Sequence, residues 1–275
     1  MATGVGQSAQ PDGACCRKAK PSAYKSLARV LMTATAICWL PGTVYGQSLG
    51  SSPQHILNFY GEGGLLDMPS ARFEPDGEFS LTVAAMPVGE RYSLGFQALP
   101  WLETEFRYSR IDRMTIHRDD YDRSLGLKVR LSQEDDFWPS IAVGAQDVLG
   151  TGAFGAEYFA ASKHVGNLDF TLGLGWRRFS GLASFENPLS IISNSFLKVP
   201  SRGKGGGRPL ISQFFHGPDV GLFGGVTWDT PIDNLTLIAE LSGDNYTQQQ
   251  LTGAIDVKIP VNLGFSYQPA DDIQI

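Results

Sequence analysis

Ionisable residues recur at alternate positions in several segments, and their spacing is the first feature of the chain that could carry chemistry. Glu103, Glu105 and Arg107 occupy every second position of one segment, and Lys128 and Arg130 do so in another. Because side chains of an extended strand alternate between two faces, this spacing places each set on a single face. Such a polar face could set charge selectivity, bind a polar guest, or form a ladder of structural ion pairs.

A further acidic residue, Glu157 in "AFGAEYFAASKHV", is predicted to point to the same polar face. The predicted inward-facing set is therefore Glu103, Glu105, Arg107, Lys128, Arg130 and Glu157. The residue types leave both roles open, a lumen that accepts a polar guest and a ladder that fills a small barrel.

A second cluster, "IHRDDYD", places His117 close to Asp119, Asp120 and Asp122. Histidine and aspartate can act as metal ligands or as an acid–base pair, but a mixed-charge stretch between strands is typical of a solvated loop. No G-x-S-x-G motif is present, and the remaining histidines have no partner that the sequence identifies. We therefore predict no catalytic residue, no metal site and no cofactor, and so a protein that is not an enzyme.

The stretch "RGKGGGR" resembles a phosphate-binding glycine loop only in composition, since it lacks the spacing and the trailing Ser or Thr of that motif. We interpret it as a flexible loop. Its basic residues are predicted to contact an acidic sugar or a lipopolysaccharide phosphate, and they are Arg202, Lys204 and Arg208.

Strict alternation identifies the elements that must position these side chains. In "LDFTLGLGW" every second residue is large and apolar, and the residues between them are small or polar. About ten segments of this kind follow one another, most of them long enough to cross a bilayer when tilted. Tight connections alternate with longer polar ones, the longest over 179–218. The sequence thus predicts an all-β protein, an antiparallel up-and-down meander.

The composition of the two faces favours a transmembrane β-barrel over a soluble β-sandwich. Glycine is mixed with ionisable residues on the polar face, and aromatic residues lie near strand ends, where a lipid interface would anchor them. In lipid a closed barrel pairs every backbone group and leaves no edge. A secreted β-sandwich that binds glycan also alternates, and it remains an alternative.

The first 46 residues are typical of an export signal. Basic residues precede the apolar run "VLMTATAICWL", and small residues follow a Pro-Gly break. We predict a signal peptide over 1–46, a turn-rich lead-in over 47–77 and a partial barrel domain over 78–275. A lipid anchor at Cys38 is disfavoured, because bulky Ile37 precedes it.

Removal of the signal changes the charge and the cysteine content. Of 22 basic and 28 acidic residues, five and one lie in 1–46, so 17 and 27 remain and the formal charge becomes −10. That charge excludes nucleic acid as an expected partner. All three cysteines also lie in the signal, so no disulfide or thiolate site is expected in the exported chain.

Longer stretches, in the order "GLLDMPSARFEPDGEFSL", "RYSLGFQALPWLETEFRYS", "FWPSIAVGAQDVLGTGAFGAEYFAASKHVGNLDFTLGLGW" and "DTPIDNLTLIAELSGDNY", run from about Gly61 to the C-terminus. They resemble the YjbH-like exopolysaccharide biosynthesis family of Gram-negative bacteria. The resemblance implies an outer-membrane β-barrel protein that serves the biosynthesis or export of an extracellular polysaccharide. It further implies contact with outer-membrane lipid, with the polysaccharide and with other proteins of the exopolysaccharide operon.

Two features depart from the family pattern. Family members are much longer, so the chain is expected to be an N-terminal fragment whose barrel is incomplete. "GLGWRRF" carries Arg177 and Arg178 where the family commonly has smaller residues.

A purely structural role, as the anchor of a secretion complex, is the alternative within the barrel interpretation. A barrel enzyme has the least support.

Overall fold

Alternating apolar and polar residues form an antiparallel sheet of eleven strands in the part of the chain that the structure describes. The structure is a computed structural model, and the residues it describes are 55–86, 89–111, 120–150, 152, 154–200, 213–246 and 259–275. The strands are β1 (Phe79–Met86), β2 (Gly89–Leu99), β3 (Leu102–Ile111), β4 (Asp120–Ser132), β5 (Ser140–Gln146), β6 (Ala156–Val165), β7 (Leu168–Arg177), β8 (Phe185–Glu186), β9 (Asp219–Asp229), β10 (Leu235–Leu241) and β11 (Val261–Tyr267).

The strand order is that of a meander. Each strand pairs antiparallel with the next along the chain, except that β7 pairs with β9 and the two-residue β8 adds to the end of β9. Ten strands match the ten alternating segments of the sequence, which confirms the predicted all-β antiparallel meander. The eleventh, β8, lies in the predicted long loop together with two short 3-10 helices, Pro188–Ile191 and Asn194–Leu197.

Connections differ between the two ends of the sheet. At one end, here the turn end, the strands are joined by residues 100–101, 133–139, 166–167 and 230–234. At the other, the loop end, they are joined by 87–88, 112–119, 147–155, 178–218 and 242–260. Three of the four turn-end connections have five residues or fewer, whereas four of the five at the loop end are longer, two of them greatly so.

The two faces of the sheet have opposite character, and the polar face is the buried one. On the outer face Leu81, Leu172 and Leu263 are 73%, 64% and 77% exposed. On the inner face Arg107 is fully buried and Lys128 is 1% exposed. The apolar face is therefore the one left without protein contacts along most of its length.

Residues 55–77, here the inner segment, cover the inner face. The segment begins at the turn end, where the Gln274 side chain bonds the backbone N–H and C=O of Leu57. It turns near Tyr60 at the loop end and returns to the turn end, where Arg72 pairs with Glu134 and Asp169. The region predicted only as a turn-rich lead-in is thus the filling of the inner face.

The apolar core lies between the inner segment and the inner face. Its members are the buried residues Ile56, Leu65, Leu66, Met68, Ala71, Phe73, Ala142, Ala156, Tyr158, Ala160, Phe179, Phe223 and Ile238. Glycines on the strands make room for the larger rings. A Cβ on Gly173 would lie 2.0 Å from the Phe223 ring, so the close packing there requires glycine.

Candidate functional site

The five residues predicted inward on β3 and β4 share the inner face of the sheet. Strand register aligns Glu103 with Lys128 and Glu105 with Gly126, and alternation keeps Arg107 on the same face. The Lys128 Nζ lies 2.7 Å from Glu103 Oε2, and an Arg107 nitrogen lies 3.6 Å from Glu105 Oε1.

The ladder on β3 and β4 binds the inner segment rather than facing open space. Gly63 is held at both backbone groups: its N–H donates to Glu103 Oε1 at 3.0 Å, and its C=O accepts from Lys128 Nζ at 3.0 Å. A Cβ on Gly63 would lie 2.6 Å from the Arg72 carbonyl oxygen, so only glycine fits. Lys128 and Arg130 also lie over the Phe73 ring, at 4.6 and 4.4 Å from its centroid.

Glu157 lies on the opposite face, and its predicted inward orientation is wrong. Register pairs it with Ala145 and Trp176, which belong to the outer face, whereas the neighbouring Tyr158 points inward. Its carboxylate is nevertheless fully buried, because Arg177 Nη1 binds it at 3.0 Å and the chain around Phe215 covers it. The charge of Glu157 suggested the polar face, but the alternation of side chains along β6 places this residue on the apolar face.

Three arginines surround one tyrosine of the inner segment near the loop end. The guanidinium carbons of Arg91, Arg107 and Arg178 lie 3.8, 4.7 and 4.3 Å from the centroid of the Tyr60 ring. The Tyr60 hydroxyl accepts hydrogen bonds from Arg91 and Arg178, and Arg178 also pairs with Asp244. Cations stacked on an aromatic face and removed from water attract it strongly, so this cluster fixes the tip of the inner segment.

Glu62, a carboxylate of the inner segment, also contacts side chains of the sheet. Glu62 is 5% exposed and accepts hydrogen bonds from Tyr158 Oη at 2.7 Å and from the Gln146 side-chain amide. Gln146 in turn accepts from Arg178 at 2.5 Å, which joins this pair to the tyrosine cluster. The charged groups around the tip therefore form one connected network.

Glu240 on β10 holds the returning half of the inner segment. Its Oε2 accepts the backbone N–H groups of Leu66, Asp67 and Met68, each at 2.9 Å, and its Oε1 accepts from Asn262 at 2.8 Å. The side chain is 1% exposed. One carboxylate oxygen thus satisfies three consecutive backbone donors, of which those of Leu66 and Met68 are buried and that of Asp67 is partly buried; without an acceptor the buried ones would be costly.

Asp147, directly after β5, is a buried acid of the loop-end connection 147–155. Burial raises the pKa of its carboxyl to about 6, and the nearby Asp122 charge adds to the rise. Its Oδ2 accepts the backbone N–H of Phe154 at 3.1 Å, and its backbone is left-handed, with φ of 58°. This carboxylate therefore binds the loop that follows β5.

Several residues of this site were not predicted from the sequence. Tyr60 and Glu62 lie in the stretch interpreted as turns, and Arg178 and Asp244 follow the ends of strands. Glu240 could have been found, because it alternates with Thr236 and Ile238 on β10 and so had to share their face. Tyr60, Glu62, Arg178 and Asp244 lie outside the alternating segments, so the alternation of residues could not predict their positions.

Other predicted groups lie outside the described residues. They are the loop residues Arg202, Lys204 and Arg208, the cluster members His117 and Asp119, and the predicted signal over 1–46. Among the described residues, no group of three or more His, Cys, Asp or Glu could hold a metal ion. In that same part of the chain no helix is long and apolar enough to span a bilayer.

Comparison with known proteins gives one family and one curated relative. The family model described as "Exopolysaccharide biosynthesis protein YbjH" (YjbH) matches residues 56–275. The "Uncharacterized lipoprotein YjbH" of Escherichia coli (strain K12) is 38% identical over 238 residues, which are 84% of this chain and 33% of that protein. The chain thus spans about a third of the length of this relative. No solved structure matches.

Proposed function

The chain belongs to the YjbH exopolysaccharide biosynthesis family, and from that premise we propose that it is an outer-membrane β-barrel protein, non-catalytic, that serves the biosynthesis or export of an extracellular polysaccharide. Its outer face would contact lipid, and its partners would be the polysaccharide and other proteins of the same pathway. The open meander of described strands would form part of the barrel wall.

One observation carries this proposal: the sheet buries its charged face and leaves its apolar face bare. On most strands large apolar side chains of the outer face are strongly exposed, including Phe79 at 64% and Phe265 at 61%. Water would make such a surface costly, at about 25 cal/mol for each Å² of apolar area that stays exposed. A bilayer removes that cost, and a soluble sandwich would need a second sheet to cover the same face.

The asymmetry of the connections supports the same proposal. Outer-membrane barrels have short periplasmic turns and longer extracellular loops. On that pattern the turn end faces the periplasm and the loop end faces the cell exterior. Exposed aromatic residues of the outer face lie near both ends of the strands, Trp228 (43% exposed) toward the turn end and Tyr92 (42% exposed) toward the loop end, as interfacial aromatic residues do.

Export to the outer membrane would use the predicted signal over 1–46. The name of the Escherichia coli relative describes a lipoprotein, so an alternative is acylation at Cys38 after a different cleavage. Metabolic labelling with a radioactive fatty acid distinguishes the two routes. Labelled protein that loses its label in Cys38→Ser supports the lipid anchor, and unlabelled protein supports simple cleavage.

Fractionation and gel mobility test the membrane assignment. We expect the chain in the outer-membrane fraction and a faster band in unheated than in boiled samples, since folded barrels resist detergent. A chain found soluble in the periplasm, compact without detergent, would refute the barrel and favour the exported glycan-binding sandwich.

Gene deletion tests the role in the polysaccharide pathway. The amount of secreted polysaccharide should fall when the gene is deleted and recover when a plasmid supplies the gene. An unchanged amount would contradict the pathway role.

A second candidate within the barrel proposal is an anchor that passes no polymer. It is favoured by the inner segment, whose buried contacts with Glu103, Lys128 and Glu240 occupy the inner face. Planar-bilayer recordings separate the two. We expect little conductance from the intact chain, and a conducting pore when residues 55–73 are deleted, if the folded variant retains its heat-modifiable band. High conductance of the intact chain would contradict the anchor.

A further inference from the structure

Part of the long connection 178–218 folds back over the outer face of the sheet. We name the described residues 185–199 and 213–217 the outer cap. Beneath it Trp176 is 4% exposed, and Val220 and Glu157 are fully buried, although all three occupy outer-face positions. On β7, four residues before Trp176, Leu172 is 64% exposed. The cap therefore covers the outer face only at the loop end of β6, β7 and β9.

Asn187, which is fully buried, ties the outer cap together and fastens it to the sheet. Its Nδ2 donates to the carbonyl oxygens of Phe196, Phe215 and Gly217, at 3.3, 2.9 and 2.9 Å. Its Oδ1 accepts from Trp176 Nε1 at 3.2 Å. These hydrogen bonds hold the outer cap in one conformation, so the side chains on its surface have fixed positions.

Stacked aromatic rings continue the contact between cap and sheet. Phe215 lies 5.5 Å from Phe159 and 5.0 Å from Trp176, measured between ring centroids, so cap and strands form one apolar layer. This layer also shields the Glu157 carboxylate from the surface, whereas the side chain of its partner Arg177 is 20% exposed. An ion pair on a lipid-facing wall would be tolerated only under such a cover.

The surface that the cap presents combines three strongly exposed aliphatic side chains with the exposed polar residues Ser193, Asn194 and Ser195. Ile191 is 90% exposed, Ile192 is 76% exposed and Val199 is 75% exposed, and all three lie in or beside the two short helices. Lys198 is adjacent to Val199 and would suit an anionic headgroup. Exposed aliphatic residues on an ordered, hydrogen-bonded element mark a contact surface.

The level of the cap follows from the length of β7. Leu168 and Trp176, the first and last outer-face positions of this strand, are eight residues apart. At about 3.3 Å per residue and a tilt of about 40°, they are separated by roughly 20 Å along the membrane normal. The apolar band of a membrane barrel is about 25 Å tall, so Trp176 and the cap over it lie at its outer boundary.

We infer that the outer cap lies in the outer interfacial layer of the bilayer and inserts Ile191, Ile192 and Val199 among the acyl chains. The inference rests on the proposed function, because it requires the outer face to contact lipid. A bilayer is the occupant that fits, since the cap is continuous with the apolar outer face and sits against its side. The cap would widen the lipid-facing wall at the loop end and would fix the depth of the barrel in the bilayer.

Fluorescence quenching tests the position of the cap in the full chain, refolded into vesicles of phosphatidylethanolamine and phosphatidylglycerol. Cys15, Cys16 and Cys38 are replaced by serine, and Ile192→Cys carries the environment-sensitive label NBD. Vesicles contain a nitroxide near the headgroup or deep in the acyl chain. We expect blue-shifted emission and a greater loss of intensity with the shallow nitroxide, because interfacial segments sit about 5–10 Å into the headgroup–acyl boundary.

Two further labels separate failure of this inference from failure of the proposed function. Leu172→Cys reports insertion of the outer face, with stronger loss from the deep nitroxide, and Asp76→Cys in the exposed turn before β1 should show no loss. Quenching at Leu172 without quenching at Ile192 would overturn the cap inference alone. An unquenched Leu172 would overturn both. If Ile192→Cys lacks the heat-modifiable band, Ile191→Cys replaces it with the same expectations.

Discussion

Glu240 gives the sharpest test of how the inner segment is held. In Glu240→Ala the buried backbone N–H groups of Leu66 and Met68 and the partly buried one of Asp67 lose their acceptor. The Asn262 side chain also loses its bond to Glu240. Each buried donor left without a partner costs about 1–3 kcal/mol, and bonds that share one oxygen are not additive. We therefore expect the free energy of unfolding to fall by about 3–5 kcal/mol.

Urea unfolding in detergent micelles at pH 7 measures this change, with hydrogen exchange of the three amides as the local readout. Glu240→Gln keeps the size and one acceptor oxygen, so it should lose less than Glu240→Ala. Glu78→Ala, at an exposed site, is the matched control and should change little. A loss below about 1 kcal/mol for Glu240→Ala, with unchanged amide exchange, would refute the view that this carboxylate fixes the inner segment.

Three further predictions concern the loop end, the outer cap and the inner face. Burial raises the pKa of the Asp147 carboxyl from an ordinary value near 3.8 to about 6, so the folded state retains a proton that the unfolded state has lost. Through this group alone, stability should therefore fall by up to about 3 kcal/mol as the pH rises from 4 to 6, and Asp147→Asn should make the pH dependence measured by urea unfolding less steep in this range. Asn187→Ala should release the outer cap, seen as new proteolytic cleavage within 185–199, whereas Asn194→Ala at an exposed position should leave the cap resistant. Gly173→Ala places a methyl group against a buried ring and should cost about 1–3 kcal/mol in the same unfolding assay, whereas Ala161→Val on the outer face should be tolerated; equal effects would contradict the assigned faces.

The sequence by itself determined the strands and the polarity of the sheet. Alternation of apolar and polar residues can be seen in the sequence itself, so ten alternating segments identified ten strands. The spacing of Glu103, Glu105 and Arg107 likewise placed these three residues on one face. Local sterics decide both features, because adjacent side chains of any strand must point in opposite directions. Neither feature needed knowledge of distant contacts.

Only the tertiary structure decided what covers each face. Residues 55–77 have no period that predicts their place on the inner face, because contacts between Gly63 and Lys128, or between Met68 and Glu240, join positions far apart in the chain. Glu157 was assigned by its charge, and that charge is tolerated on the apolar face because Arg177 pairs with it and the outer cap folds over it. Burial is a property of the assembled neighbours, which the order of residues does not state.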